Sequence, residues 1–147
     1  QFLFPVRCGY TDEYERKCSC KGIFAEKLYE RTDIESTKVL VVDSYKKLLP
    51  LQEELKRKYP EMPVLFSQND HLEILQKGVS KADALRFICS QLNIGIEQTL
   101  GIGDAEVDIA LVSEAGFGAC PKNAIQKIKN KAACAVADIL NHFVLGD

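Results

Sequence analysis

The sequence predicts an α/β protein whose C-terminal half forms a parallel, doubly wound, Rossmann-like sheet. Three observations point there. From residue 78 onward, short apolar runs alternate with stretches of helical periodicity in the order helix, strand, helix, strand, helix, strand. The runs are short and nearly continuous in apolar residues, as in strands covered on both faces. One of them, "TLGIGD" at 99–104, ends in Gly-Asp, which places a carboxylate outside the carboxyl end of a strand, where the crevices of such sheets lie.

The elements follow in order. Residues 11–31 are charged and read as helical. "TKVLVVDS" (37–44) is a β-branched run typical of a buried strand. "YKKLLPLQEELKRKYP" (45–60) is an amphipathic helix with Leu48, Leu49, Leu51 and Leu55 on one face and Pro50 near a first turn or a kink. "MPVLFSQ" (62–68) and "HLEILQ" (71–76) are two short strands, and Asn69-Asp70 between them suits a tight bend. "GVSKADALRFICSQLNI" (78–94) is a helix capped by Ser80, with Ala84, Leu85, Ile88 and Leu92 expected on its buried face and Gly95 closing it. After the 99–104 strand, "EVDIALVSEAG" (106–116) is a helix with Gly116 as a left-handed cap. "FGAC" (117–120) is a strand, "NAIQKIKNKAA" (123–133) a helix, and "CAVA" (134–137) a final strand.

Composition limits the partners. The chain has 147 residues, is 46% hydrophobic and 27% charged, and carries a formal net charge of −2. A chain of this length can bury roughly two-thirds of its unfolded surface, so it can build a real core. No basic face is implied, which argues against nucleic acid, and no apolar run approaches a membrane span. The N-terminal "QFLFPVRCGY" is not a signal peptide and does not begin with Met, so the chain is expected to be a fragment or processed product. The six cysteines are Cys8, Cys18, Cys20, Cys89, Cys120 and Cys134. "CSC" at 18–20 lacks zinc-ligand spacing, and neither His71 nor His142 completes a ligand set, so they read as free thiols of a cytoplasmic protein.

The chemistry concentrates at the end of the 99–104 strand. Asp104 follows Gly103, and Asp108 comes one helical turn later, so both carboxylates can face one space. Two acids there suit a hard divalent cation such as Mg²⁺, which takes one or two carboxylates, waters and phosphate oxygens. The same residues also suit a plain N-cap and a first-turn acid that favours the helix dipole. Lys81, in the first turn of the 78–94 helix, is unfavourable with that dipole unless it meets an anion. Asn123 opens the next helix on the same rim, where an N-cap is its commoner role.

Residues 72–133, from "LEILQKGVSKADAL" through "TLGIGDAEVDIALVSEAGFGACPKNAIQKIKNKA", resemble the C-terminal half of the Cof-type phosphatases of the haloacid dehalogenase superfamily. The resemblance implies a HAD-like core half over 77–147 and part of an αβ cap domain over 1–76. It implies that Lys81 binds the substrate phosphate and acts in catalysis with Asp108. It implies that Asp104 and Asp108 hold Mg²⁺ and that Asn123 lines the phosphate site. The implied activity is Mg²⁺-dependent hydrolysis of small phosphorylated metabolites, such as sugar phosphates, through an aspartyl-phosphate.

The departures are specific. That family's nucleophile motif is Asp-x-Asp-Gly-Thr, and no two aspartates of this sequence are separated by one residue. Asp43 ends an apolar strand, but Tyr45 stands two residues on, and the segment reads as a cap strand. Val107 replaces the family's polar Asn, Glu106 beside it points elsewhere on a helix, and "ADILNHFVLGD" lacks the family's usual close. The chain is therefore expected to be an inactive fragment, or a non-catalytic remnant that binds metal, phosphate or another chain. An exposed sheet edge would favour self-association.

Overall fold

The computed structural model describes residues 2–141. His142 and the remainder of the C-terminal "NHFVLGD" after Asn141 lie outside the described residues. The chain packs as two compact units, residues 1–36 and 37–147.

The first unit is built on a two-stranded parallel ladder of β1 (Leu3–Phe4) and β2 (Ile23–Phe24), with helix α1 (Gly9–Cys18) between them. The helix expected over 11–31 stops at Cys18, because Ser19 takes the left-handed conformation (φ 50°) and its N–H donates to the Arg16 and Glu15 carbonyls. Glu15 is buried. Its carboxylate accepts from Gly22 N–H at 2.9 Å and pairs with Arg7 at 3.1 Å and Lys21 at 3.4 Å. One acid thus fastens the chain before, within and after the helix.

The second unit starts with an antiparallel sheet in the order β3-β5-β4, made from Lys38–Val42, His71–Leu75 and Val64–Gln68. The Asn69-Asp70 bend joins β4 to β5 as the sequence implies. Helix α2 (Tyr45–Lys58) covers one face. Leu48, Val64 and Leu72 are fully buried between them, with Leu51, Leu55, Phe66 and Ile74 packed around. β3 is not the buried strand its composition suggests. It lies at a sheet edge, and Val39 is 52% exposed.

Helix α3 (Lys81–Leu92) begins where Ser80 Oγ accepts from Asp83 N–H, and it ends at Asn93 (φ 55°) rather than Gly95. Its buried face also differs from the expected one. Ala82 and Cys89 are buried, whereas Phe87, Ile88 and Leu92 are exposed. The parallel sheet runs β6-β7-β8, from Leu100–Ile102, Phe117–Cys120 and Cys134–Ala135, with β6 at one edge. Helix α4 (Ile109–Glu114) crosses from β6 to β7. Helix α5 (Gln126–Lys129) is one turn long instead of spanning 123–133, and α6 (Val136–Ile139) replaces the end of the expected final strand. Val112, Cys120, Ala124 and Ile128 form the core of this layer. Gly116 lies outside the left-handed region and serves close approach instead: a Cβ there would sit 2.1 Å from the Glu97 carbonyl oxygen. All six cysteines are free.

Candidate functional site

The strand-end corner is organised by one side chain. Asp108 lies at the end of a single 3₁₀ turn, Glu106–Asp108, that leads from β6 into α4. It is 5% exposed. Its Oδ2 accepts from the backbone N–H groups of Asp104 and Ala105, both at 3.1 Å, so the carboxylate folds back over the loop it belongs to. Its Oδ1 accepts from Lys81 Nζ at the start of α3. Gly103 makes this possible: a Cβ on it would stand 2.2 Å from Asp108 Cβ. Burial pushes the Asp108 carboxyl up. The Lys81 ammonium and the two loop amides outweigh that effect and hold it below the usual carboxylate range.

The predicted residues therefore fall into three positions. Lys81 and Asp108 meet directly, and the Lys81 side chain remains 55% exposed, so its ammonium can still face a second anion. Asp104 is exposed at the carboxyl end of β6, on the loop whose amides Asp108 holds. Asn123 is exposed in the turn before α5, not at that helix's N-cap, which is Ile125. That turn is tied to the corner because Ile125 N–H donates to the Asp104 carbonyl at 3.0 Å.

The fit to a divalent cation is partial. Among the described residues no group of three or more His, Cys, Asp or Glu side chains is arranged to hold a metal. Asp108's oxygens are committed to Lys81 and the loop amides, while Asp104 presents its carboxylate to solvent. One open carboxylate suits Mg²⁺, which keeps several waters and is completed by phosphate oxygens.

Glu106 is the residue that sequence reasoning left aside. It points away from the corner, against the antiparallel layer. Its Oε2 accepts from Gln52 Nε2 at 2.9 Å and Phe66 N–H at 3.0 Å, and its Oε1 faces Lys56 at 3.5 Å and Lys127 at 3.9 Å. The sequence does hold one signal: Gln52 is a polar residue within the apolar stripe of α2, and it needs a partner when buried.

Comparison with known proteins agrees with this architecture. The chain is 31% identical over 78 residues to the stress response protein YhaX of Bacillus subtilis, covering 53% of this chain and 27% of that protein. It is 33% identical over 101 residues to the 5-amino-6-(5-phospho-D-ribitylamino)uracil phosphatase YcsE of the same organism, covering 63% of this chain and 40% of that one. The chain thus spans less than half the length of either curated relative. A crystal structure from Thermotoga maritima superimposes with a TM-score of 0.66 at 28% identity, covering 90% of this chain and 51% of that one. The Gly-Asp strand end, the lysine that opens α3 and the parallel β6-β7-β8 layer all lie within residues 11–142, which match the family model described as haloacid dehalogenase-like hydrolase, and to that family the chain belongs.

Proposed function

We propose that this chain carries the lysine- and acid-bearing half of a Mg²⁺-dependent site for phosphoric monoester hydrolysis, acting on small phosphorylated metabolites such as sugar phosphates. The observation that carries the reading is the division of labour at the corner. Asp108 is consumed in holding Lys81 and the loop, which leaves Asp104 exposed on that loop while the Lys81 side chain that Asp108 holds is itself half exposed.

In this reading Asp104 holds the cation, and Asp108 fixes the height of Asp104 above the strand end through the loop amides. Lys81 meets a phosphate oxygen, with the Asp108 carboxylate holding its ammonium in place. Asn123 donates from the rim. When bound, Mg²⁺ supplies neutralisation of phosphoryl charge. The printed name of YcsE describes a phosphatase of a small phosphorylated metabolite, which supports the substrate class. The absence of any Asp-x-Asp in the sequence supports a site that binds without completing turnover in this chain alone.

The test is calorimetric titration of the chain with Mg²⁺ and inorganic phosphate, alongside a sugar-phosphate hydrolysis panel. Binding of Mg²⁺ that is lost in Asp104→Ala, with no turnover, is the expected result. No binding of either ion refutes the site, and turnover abolished by Asp104→Ala refutes its incompleteness.

A further inference from the structure

We infer that Glu106 is a latch: its carboxylate holds the loop bearing Asp104 and Asp108 against β4 and α2, so that loosening on either side is transmitted to the other. Glu106 lies between the two acids of the corner in sequence, yet its partners come from a different layer of the same unit. The Phe66 N–H belongs to β4 and the Gln52 amide to α2, and both reach the same oxygen, at 3.0 and 2.9 Å. Gln52 also donates to the Val64 carbonyl at 2.9 Å, so the contact reaches into the fully buried cluster around Leu48, Val64 and Leu72. Lys56 on the α2 side and Lys127 on the α5 side flank the second oxygen at 3.5 and 3.9 Å.

Three features separate this arrangement from a surface ion pair. The Glu106 side chain is only 15% exposed, against 44% for Lys56 and 73% for Lys127, so the carboxylate is the sheltered member. One donor is a strand amide, whose geometry is set by the sheet and not by a flexible side chain. And Glu106 sits on a single 3₁₀ turn whose other end is Asp108, which holds the Asp104 and Ala105 amides. A shift of β4 and α2 away from the loop has to break the Glu106 contacts or carry the turn with it. Glu106 is thus a positioning residue for the corner, acting through the backbone between it and Asp104. Its effect on metal binding rests on the proposed role of Asp104, whereas the latch itself does not.

The experiment is residue-resolved amide exchange on the intact chain, read by NMR. Glu106→Ala is expected to speed exchange of the Phe66 amide by at least about fivefold, because a sheltered donor loses its acceptor. Glu106→Gln keeps an oxygen for Phe66 N–H and is expected to restore most of the protection. Gln52→Ala, made on the far side, is expected to speed exchange at Asp104 and Ala105, which it does not touch. A Phe66 amide indifferent to Glu106→Ala, or loop amides indifferent to Gln52→Ala, overturns the inference. Adding Mg²⁺ separates the two readings. Loop amides that do not respond to it count against the metal site alone, and loop amides that respond while Phe66 stays silent count against the latch.

Discussion

Removing the Asp108 carboxylate in two steps dissects the corner. Asp108→Asn keeps an oxygen for the Asp104 and Ala105 N–H groups and gives up the charge that meets Lys81. Asp108→Ala gives up both. The Lys81 side chain is 55% exposed, so its ion pair is screened and contributes only about 0.2–1 kcal/mol. Each loop amide left without an acceptor costs about 1–3 kcal/mol, at the lower end here because Asp104 is exposed and Ala105 half-buried. The expected losses are therefore about 1 kcal/mol for Asn and about 2–4 kcal/mol for Ala. With a urea slope of about 2 kcal/mol per M, the unfolding midpoint falls by about 0.5 M and about 1–2 M respectively. Urea titration followed by circular dichroism gives the midpoints, and the Asp104 and Ala105 amide resonances show whether the loop stays closed in Asn and opens in Ala. The Asp108 carboxyl is held below the usual range, so its contribution is complete above about pH 4 and is lost as pH falls through its folded value. The gap between wild type and Asp108→Asn should close in that acidic window. Equal midpoints for the two variants, or a gap that widens in acid, would refute the account.

The remaining predictions concern the two units separately. Leu72→Ala, at a residue with no exposed surface between β5 and α2, should cost about 2–5 kcal/mol by leaving a cavity beside Leu48 and Val64; a midpoint shift under about 0.5 M in urea would contradict it. In the first unit, the Gly22 N–H leads in pulling the Glu15 carboxyl below its usual range. Burial opposes this, and Arg7 and Lys21 add to the lowering. The stability Glu15 supplies is therefore present above about pH 4.3 and lost as pH falls through its lowered folded value. The Gly22 amide resonance should titrate with a midpoint below that of an unfolded Glu, and a midpoint at or above it would contradict the assignment.

Periodic and β-branched patterns located the helix before the hairpin, the hairpin itself and the parallel strands, because each depends on which local faces are apolar. Helix ends were less legible. Ser19 and Asn93 take the left-handed conformation at the ends of α1 and α3, Asn93 standing two residues before the expected Gly95, while Gly116, expected to be left-handed, is not. The face of α3 was misread for a different reason. Ile88 and Leu92 fit an apolar stripe, but burial needs a covering layer as well as a stripe. Phe87, Ile88 and Leu92 remain exposed, so the described residues do not cover that side of the helix.

The corner shows the same limit at the scale of a site. Asp104, Asp108 and Lys81 could be named from spacing because strand ends and helix starts are local features. Their division of labour could not. Two carboxylates one turn apart look equivalent in sequence, and only the fold decides which receives the loop amides. Gly103 is what tips the choice: lacking a Cβ, it lets Asp108 fold inward and leaves Asp104 outward. Glu106 was passed over for a related reason, since its partners Gln52 and Phe66 lie 54 and 40 residues away in sequence. A residue that links two layers carries no local pattern. What marks it in advance is the complementary anomaly on the other layer: a Gln inside an apolar helix stripe, which had to find a partner once buried.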